Sequence, residues 1–301
     1  MLKEKQLPLR IIVPCLLAAA VLMGWFTHHA TQERIYHDQA QRLTDQLNLR
    51  TALLERRLKE DRAKTHFLYS TPPIKGILRA TLNGGIDEED GTRLEQWQRR
   101  LEIIFEAYLE DNPAIMQARY IGLADNGMEL VRVDRTAGNI KVRRGKELQA
   151  KGDRDYFQII SKMKSGFIYV SEINLNQEQG IIVYPYEPTY RIGVPVFDAD
   201  GTPFGMVVLN FNGEHLLEAL KLDLPSELSL VVLDAQRGFI YHPNKDYRFS
   251  LELLGNFDWY SLYQLEDTQA SSFQLVQDKQ SGQAFYLQES SVLLDHLSPD
   301  R

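Results

Sequence analysis

An uncharged apolar run at positions 11–26 is the first pattern along the chain. As a helix it is roughly 24 Å long, and its uncharged flanks extend it towards the thickness of a bilayer core. Basic residues precede the run and few follow closely, which orients residues 1–10 to the cytoplasm, and Trp25 and Phe26 lie where an interfacial aromatic belt is expected. The pattern predicts a transmembrane helix over residues 11–29.

A cleaved signal peptide is the alternative for the same segment. Against it, the bulky Met23, Trp25 and Phe26 occupy the place where a signal peptidase needs small residues. In either case the chain beyond about residue 28 lies outside the cytoplasm. The single cysteine, Cys15, excludes a disulfide within one chain. We therefore expect a bacterial protein of the inner (cytoplasmic) membrane, with one N-terminal span and its folded part in the periplasm.

Residues 30–70 carry a narrow helical stripe. Proline and glycine are absent from Ala30 to Tyr69, and apolar residues recur at spacings of three, four and seven, at Tyr36, Ala40, Leu43, Leu47, Leu54 and Leu58. This predicts a helix of roughly 60 Å. Such a stripe packs either on a second copy of the chain, as a homodimer, or on the chain's own domain. Thr71-Pro72-Pro73 ends the helix, because the residue before a proline avoids the α region.

A second amphipathic helix is predicted over residues 92–111, and the pattern then changes to the alternation of β-strands. Asp125-Asn-Gly127 predicts a tight hairpin turn, because both central positions of a type I′ turn need positive φ. Further strands and a short helix ending near Lys164 complete an α+β domain with an antiparallel sheet. The predicted strands are 118–124, 129–133, 166–172, 190–197 and 204–211, with a polar loop at 174–180.

The strand–turn–strand pattern recurs weakly at residues 228–242, after a predicted helix at 213–222. Strand-like runs follow at 272–276 and 283–289. The simplest interpretation is a second, smaller sheet unit of the same kind.

Charge and motifs exclude several classes of function. The net charge of −7, with basic and acidic residues interspersed, argues against nucleic acid as a partner. Neither a metal-binding His pair nor a nucleotide-binding or serine-hydrolase motif occurs. The acidic loops Asn83–Gly91 and Asp198–Gly201 lack the ligand spacing of a calcium loop. We expect no enzyme activity in this chain, no cofactor and no metal.

Lys151–Phe157 is the densest cluster of candidate binding residues. Arg154 offers a planar fork of donors suited to a carboxylate, and Tyr156 and Phe157 offer ring faces that can enclose a small molecule. A charged turn that opens an amphipathic helix would have the same composition, so this stretch alone leaves both interpretations open.

Five blocks of sequence, in this order, resemble the double Cache extracytoplasmic sensor domains. These tandem PAS-like modules occur in bacterial histidine kinases, diguanylate cyclases and chemoreceptors. The resemblance covers residues 30–290 and is strongest over 118–212. Its blocks are Arg119–Asp134, Lys151–Phe157, Tyr169–Ser171, Asn174–Asn176, and Arg191–Asp198 closing on Gly205–Asn210.

The resemblance implies a membrane-distal module with the ligand pocket at residues 71–212, a membrane-proximal module at 213–292 and a tail at 293–301. Arg154 and Arg191 become a candidate carboxylate clamp, and aromatic residues form the walls. The implied ligand-binding residues are Arg154, Tyr156, Phe157, Tyr169, Ser171, Arg191 and Asn210.

Two departures from the amino-acid-binding members of that family bear on the ligand. Those members place acidic residues near the positions of Asn176 and Asn210, where they pair with the ligand ammonium group. Asparagine supplies no negative charge to a desolvated ammonium. We therefore expect a small carboxylate or a neutral polar ligand rather than an amino acid. Alternatively, Arg191 and Asn210 satisfy backbone groups at strand ends.

The expected function is the extracytoplasmic small-molecule-sensing input of a membrane-anchored bacterial signal-transduction receptor. The sequence ends at Arg301 without a second apolar span or a recognisable output domain, for which a histidine kinase or a diguanylate cyclase is favoured. The alternative is a stand-alone, membrane-anchored periplasmic binding or interaction protein.

Overall fold

The computed structural model describes residues 9–136, 138–178, 180–266, 274–292 and 294. Its first element, α1, is one uninterrupted helix of 61 residues, Leu9–Tyr69. The predicted transmembrane helix and the predicted long helix are therefore two parts of the same helix. Near its N-terminus α1 has the length and composition to cross a membrane, with an 18-residue window of mean hydropathy 1.3 that is entirely unburied. Residues 1–8 of the predicted cytoplasmic segment lie outside the described residues.

The proline pair ends α1 as predicted, and it also begins a helix that the sequence pattern did not predict. This helix, α2, spans Pro72–Leu82. Proline suits the first turn of a helix because the N–H groups there have no partner within the helix. The next helix, α3, spans Leu94–Asp111, so it begins slightly later than predicted.

The chain divides into two compact units. The first comprises the chain up to Leu49 together with residues 264–290. In it, the rings of Tyr36 and Tyr286 meet edge to face at 5.7 Å, and Thr44 Oγ1 donates a hydrogen bond to Gln288 Oε1 at 3.1 Å. The second unit, residues 50–263 and 291–301, holds the large sheet and the candidate site.

The large sheet is antiparallel throughout, with strand order β3-β2-β1-β9-β8-β4 and with β5 also paired to β8. Strands β2, β8 and β9 extend beyond their predicted ends, and β1 both begins and ends earlier than predicted. Burial is almost continuous along β1 and β8, including Ile115 and Pro188. The strands are β1 Ile115–Gly122, β2 Glu129–Thr136, β3 Asn139–Arg143, β4 Tyr169–Val170, β5 Asn174–Leu175, β8 Pro188–Phe197 and β9 Pro203–Asn212.

Two predicted segments differ from the structure. The predicted strand at 166–172 is reduced to β4, and the predicted loop at 174–180 contains β5 and one strand of a separate hairpin, β6 Gln177–Glu178 with β7 Ile181–Ile182. Strands of two residues bury too few side chains to leave an alternating pattern in the sequence.

One face of the large sheet forms the main core. Tyr120, Leu209 and Tyr190 are buried on it and belong to one apolar cluster with residues of α1, α2 and α3. In this cluster Ile74 and Phe105 are fully buried. The three helices thus cover one face of the sheet, and the opposite face does not contribute to this cluster.

The turn between β1 and β2 is longer than the predicted two-residue type. Asp125, Asn126 and Gly127 all adopt left-handed backbone conformations, with φ of 52°, 56° and 75°. Asparagine and aspartate tolerate this region better than other residues with a Cβ atom. The turn therefore uses one residue more than the Asn-Gly pair that predicted it.

The second sheet unit is smaller and more divided than predicted. The predicted helix at 213–222 is present as Gly213–Lys221, and the side chain of Asn212 caps its N-terminus by accepting a hydrogen bond from His215 N. The predicted hairpin at 228–242 provides only β10 Val232–Leu233 and β11 Phe239–Tyr241, which pair with each other. A separate three-stranded sheet has the order β12-β13-β14, with β12 Tyr263–Glu266, β13 Gln274–Asp278 and β14 Ala284–Leu287. Residues 267–273, and the predicted tail at 293–301 apart from Leu294, lie outside the described residues.

Candidate ligand-binding site

The face of the large sheet that points away from α1, α2 and α3 is partly polar. Registers across four neighbouring strands align Arg191 with Asn210, Asn210 with Gln117, and Gln117 with Asp134. Side chains two residues apart on a strand share a face, so Arg119 lies on the same side of β1 as Gln117. All of these residues are buried. Such a row of buried polar side chains is a site candidate because burial of polar groups is costly unless they are satisfied.

The short helix α4, Asp155–Ile160, belongs to this polar face. Tyr156, Phe157 and Ile160 are buried in one apolar cluster with Ile121, Tyr169, Met206 and Val208 of the sheet. Gly193 on β8 permits the close approach, because a Cβ atom there would lie 2.4 Å from Ile160 Cδ1.

The tight turn after β1 fixes the start of this segment. Gly152 N donates to Asn126 O at 2.8 Å, and Lys151 N donates to Gly127 O at 2.9 Å. At Gly127, whose φ is positive, a Cβ atom would lie 2.7 Å from the ring of Phe157. Phe157 is thus a packing residue that holds α4 to the turn.

Three arginines contact side chains in this region. Arg119 donates to Tyr156 Oη at 2.8 Å and to Asn210 Oδ1 at 2.5 Å. Arg191 donates to Asn174 Oδ1 at 2.7 Å. Arg154, which precedes α4, donates to Gln177 Oε1 at 3.2 Å. Each guanidinium group is therefore oriented by a neutral oxygen acceptor.

The three positive charges lie close enough to influence one another. The guanidinium carbons of Arg119 and Arg191 lie 5.2 Å and 5.7 Å from the ring centre of Tyr156. Burial, followed by the positive charges of Arg119 and Arg154, lowers the pKa of Arg191 to about 10. The arrangement holds positive charge in a buried place, where an anion would be stabilised most strongly.

A second group of charges lies beside the three arginines and is internally paired. Arg132 Nε donates to Asp134 Oδ1 at 2.8 Å, and Gln117 Nε2 donates to the same oxygen at 2.7 Å. Glu129 lies 3.5 Å from Arg132, and 4.0 Å from each of Arg119 and Lys151. This single carboxylate therefore serves three cations.

Other residues named from the sequence have different surroundings. Ser171 Oγ accepts a hydrogen bond from Arg191 N at 2.8 Å and donates one to Glu172 O at 2.8 Å, so its hydroxyl group ties two backbone segments. Tyr169 lies in the apolar cluster, where burial raises its pKa. The side chain of Asn176 donates to Glu187 Oε2 at 3.2 Å.

The alternative explanation for Arg191 and Asn210 is wrong for their side chains. Asn210 Nδ2 donates to Gln117 Oε1 at 3.3 Å, and Asn210 Oδ1 accepts from Arg119. The Arg191 guanidinium bonds to Asn174. These contacts join side chains across strands and satisfy no backbone group at a strand end.

Sequence reasoning missed Arg119, Gln117 and Asn174 as residues of the site. The signal for the first two was the polar alternation of Gln117 and Arg119 within an otherwise apolar strand. Both residues are buried. Polar residues that alternate along a strand usually face solvent, so the pattern alone did not mark them as buried.

A profile of the bacterial histidine kinase sensor domain matches residues 91–294. This range includes α3 and every strand of the large sheet, and it excludes α1 and α2. This chain belongs to that family. The family is one of sensor domains, which are typically not catalytic themselves. The double Cache resemblance and the α+β fold expected from the sequence are confirmed, because the similar solved structures are Cache-type sensor domains.

Three solved structures illustrate the similarity of fold. The extracellular domain of an assigned histidine kinase, vpHK1S-Z8, has a TM-score of 0.56 and 19% identity, covering 80% of this chain and 85% of its own. A domain of an assigned sensory box/GGDEF family protein from Vibrio parahaemolyticus has a TM-score of 0.57 and 18% identity, covering 80% and 89%.

The third structure is the ligand-binding domain of the Campylobacter jejuni chemoreceptor Tlp3 in complex with L-valine. Its TM-score is 0.52 at 14% identity, covering 80% of this chain and 87% of its own. At these identities the similarity establishes the fold. No curated protein sequence matches the chain. Within the described residues, no group of three or more His, Cys, Asp or Glu side chains is arranged to hold a metal ion.

Proposed function

We propose that this chain is the extracytoplasmic input of a membrane-anchored bacterial signalling receptor and that it binds a small molecule beside α4. Family membership supports the sensing role, and the apolar start of α1 supports anchoring in the inner membrane with the sensor in the periplasm. A histidine kinase or a diguanylate cyclase is the proposed output. Residues 71–212 form the proposed membrane-distal module and residues 213–292 the membrane-proximal one.

The observation that carries the proposed site is a set of three arginines, each oriented by a neutral acceptor: Arg119 and Arg191 beside the ring of Tyr156, and Arg154 at the start of α4. Guanidinium groups in such a place favour a ligand that brings negative charge or several oxygen acceptors. Asn210 and Ser171 contribute no negative charge for an ammonium group. The proposed ligand is thus a carboxylate or a neutral polar metabolite rather than an amino acid.

The proposed signal passes from β8 to α1. Arg191 and Tyr190 are neighbours on β8 and point to opposite faces of the sheet. Tyr190 Oη donates to Asp61 Oδ2 of α1 at 2.6 Å, and Asp61 is completely buried. A ligand that favours one position of β8 would therefore alter the contact with α1. The equilibrium shifts only by the ligand's differential affinity for the two states, so ~100-fold discrimination supplies about 2.7 kcal/mol.

Calorimetric titration of the full chain in detergent micelles tests the ligand class. We expect carboxylates to bind with micromolar dissociation constants and the matching amino acids to bind far more weakly, because an ammonium group would face the three guanidinium groups. Arg154→Ala should weaken binding by ~10-fold or more, whereas the control Arg99→Ala, an exposed arginine of α3, should leave it unchanged.

Micromolar binding of amino acids with no binding of carboxylates would reject the proposed ligand class. Carboxylate affinity within a factor of two of the unaltered chain in Arg154→Ala would instead reject the role of Arg154 while leaving the sensing function in place.

A further inference from the structure

The charge balance of the proposed site is uneven. Among the residues that the structure describes, Arg154 and Arg191 form no ion pair within 4.0 Å. The ion pair of Arg119 is at that limit, and its partner Glu129 also serves Arg132 and Lys151. At least two positive charges therefore lie in or beside the buried site without a carboxylate of their own.

Arg119 differs from the other two arginines in its degree of confinement. Only 3% of its surface is exposed, and its Nε has no hydrogen-bond partner. Its two terminal nitrogens are held by Tyr156 and Asn210, which are both neutral. A buried guanidinium held in this way has a fixed orientation, and desolvation of its charge is costly unless an anion compensates it.

Apart from the buried Glu129, the acidic side chains near the three arginines lie at the exposed edge of the site. Asp155 and Glu172 influence Tyr169 electrostatically, and Glu252 accepts a hydrogen bond from Leu175 N at 3.0 Å. All three are exposed to solvent. Water screens exposed charges well, so these carboxylates compensate the buried guanidinium groups only weakly.

We infer that the ligand carries two negatively charged groups and that Arg119 is the specificity-determining residue for the second group. This inference rests on the proposed function. Arg154 and Arg191 hold the first group, and Arg119, whose guanidinium carbon lies 5.2 Å from the ring centre of Tyr156, compensates the second. Asn210 and Tyr156 are positioning residues, because they orient Arg119. A ligand with one negative group leaves Arg119 with only the carboxylate of Glu129, which is 4.0 Å away and shared with Arg132 and Lys151, and such a ligand binds more weakly.

Pairs of compounds that differ by one charge test this inference. Malonate, succinate and glutarate span a range of separations between two carboxylates, and the monoamide of each has nearly the same size with one charge removed. Calorimetric titration of the full chain in detergent micelles at pH 7 should show at least one dicarboxylate binding ~10-fold or more tightly than its monoamide, equivalent to about 1.4 kcal/mol.

Substitution of Arg119 assigns the effect to this residue. In Arg119→Gln the preference for the dicarboxylate over its monoamide should fall to about one, and in Arg119→Lys, which keeps the charge, part of the preference should remain. Arg99→Gln serves as the control and should retain the full preference. A melting curve of each variant shows whether it is folded. If Arg119→Gln is unfolded, the test relies on Arg119→Lys.

Each outcome has a definite meaning. Equal binding of a dicarboxylate and its monoamide overturns the inference. A preference for the dicarboxylate that survives in Arg119→Gln overturns it as well. If Arg119→Gln is unfolded, the inference is overturned by complete loss of the preference in Arg119→Lys. If a dicarboxylate and its monoamide bind equally and Arg191→Ala abolishes the binding of both, the proposed function stands without this inference. If none of the six compounds binds, the inference is wrong, and binding of L-valine in their place would reject the proposed ligand class as well.

Discussion

Asp87 closes the acidic loop between α2 and α3 by accepting four hydrogen bonds. Arg79 donates to it through Nε at 2.7 Å and Nη2 at 2.8 Å, Trp97 Nε1 at 2.9 Å and Glu89 N at 3.1 Å. Gly76 of α2 permits the close approach of Trp97, whose ring would lie 2.3 Å from a Cβ atom there. The loop Asn83–Gly91 was judged from its sequence not to bind calcium, and its carboxylate Asp87 instead holds the loop together through these hydrogen bonds.

We predict that Asp87→Asn lowers the free energy of unfolding by about 2–3 kcal/mol, because it removes charge-assisted hydrogen bonds at a buried position. Urea denaturation at pH 7 measures this. Asp90→Asn is the control, since Asp90 is exposed and accepts one backbone hydrogen bond. Loss of stability equal to that of the control would contradict the role assigned to Asp87.

The same carboxylate predicts a pH dependence. The hydrogen bonds from Arg79 lower the pKa of Asp87 to about 2, below the ordinary value near 4. Its contribution to stability is therefore complete above about pH 4 and is lost as the pH falls towards 2. The stability difference between the unaltered chain and Asp87→Asn should shrink over that interval.

At the scale of single residues, sequence reasoning found side chains that stand in a dense or familiar cluster. Arg154 and Tyr156 belong to such a cluster. Arg119 does not, because it is one charged residue within an apolar strand, and only the strand registers show that Asn210 lies beside it. Pairing of distant strands is a tertiary fact that no local pattern contains.

Among the elements, the contact between α1 and β8 has the clearest mechanical meaning. Tyr190 is buried, stacks on Phe211 at 5.2 Å between ring centres, and donates to Asp61. Asp61 also pairs with Arg57 at 3.1 Å and Lys64 at 2.7 Å. The helix thus presents a charged cluster to one hydroxyl group of the sheet.

We predict that Tyr190→Phe lowers the free energy of unfolding by about 1–2 kcal/mol and leaves ligand affinity within a factor of two, because the hydroxyl group is on the opposite face from Arg191. Hydrogen exchange of α1 near Asp61 should change on ligand binding in the unaltered chain and not in Tyr190→Phe. Tyr120→Phe is the control, since Tyr120 Oη donates to Ile74 O of α2. A ligand effect on α1 that persists in Tyr190→Phe would reject this route.

Long elements were predicted well, and short ones were not. The stripe from Tyr36 to Leu58 predicted α1, and the alternation of β1, β2, β8 and β9 predicted the central sheet. Helix α2 was missed because Pro72 and Pro73 are read as a break, although proline fits the first turn of a helix. Strands β4 to β7 were missed or misplaced because their conformation depends on neighbours and not on their own two residues.

For the whole molecule, the family and fold are established, whereas the domain limits, the homodimer through residues 30–70 and the ligand site stay predictions. The second sheet unit shows how far a repeat can be inferred. Its pattern at 228–242 resembles that of the first unit, yet its strands β10 and β11 are shorter and form a two-stranded sheet in the described part of the chain. A similar turn signal does not by itself supply the long alternating strands that build a large sheet.

A thermal-shift screen of the full chain and of Arg191→Ala, in parallel and against the same set of small carboxylates and neutral polar metabolites, tests the site most directly. A ligand at 100 times its dissociation constant adds about 2.7 kcal/mol to the stability of the state that binds it. We expect some compounds to raise the melting temperature of the unaltered chain and the same compounds to leave Arg191→Ala unshifted, with Arg99→Ala behaving as the unaltered chain. Equal shifts in the unaltered chain and Arg191→Ala would contradict the account, since the ligand would then bind elsewhere.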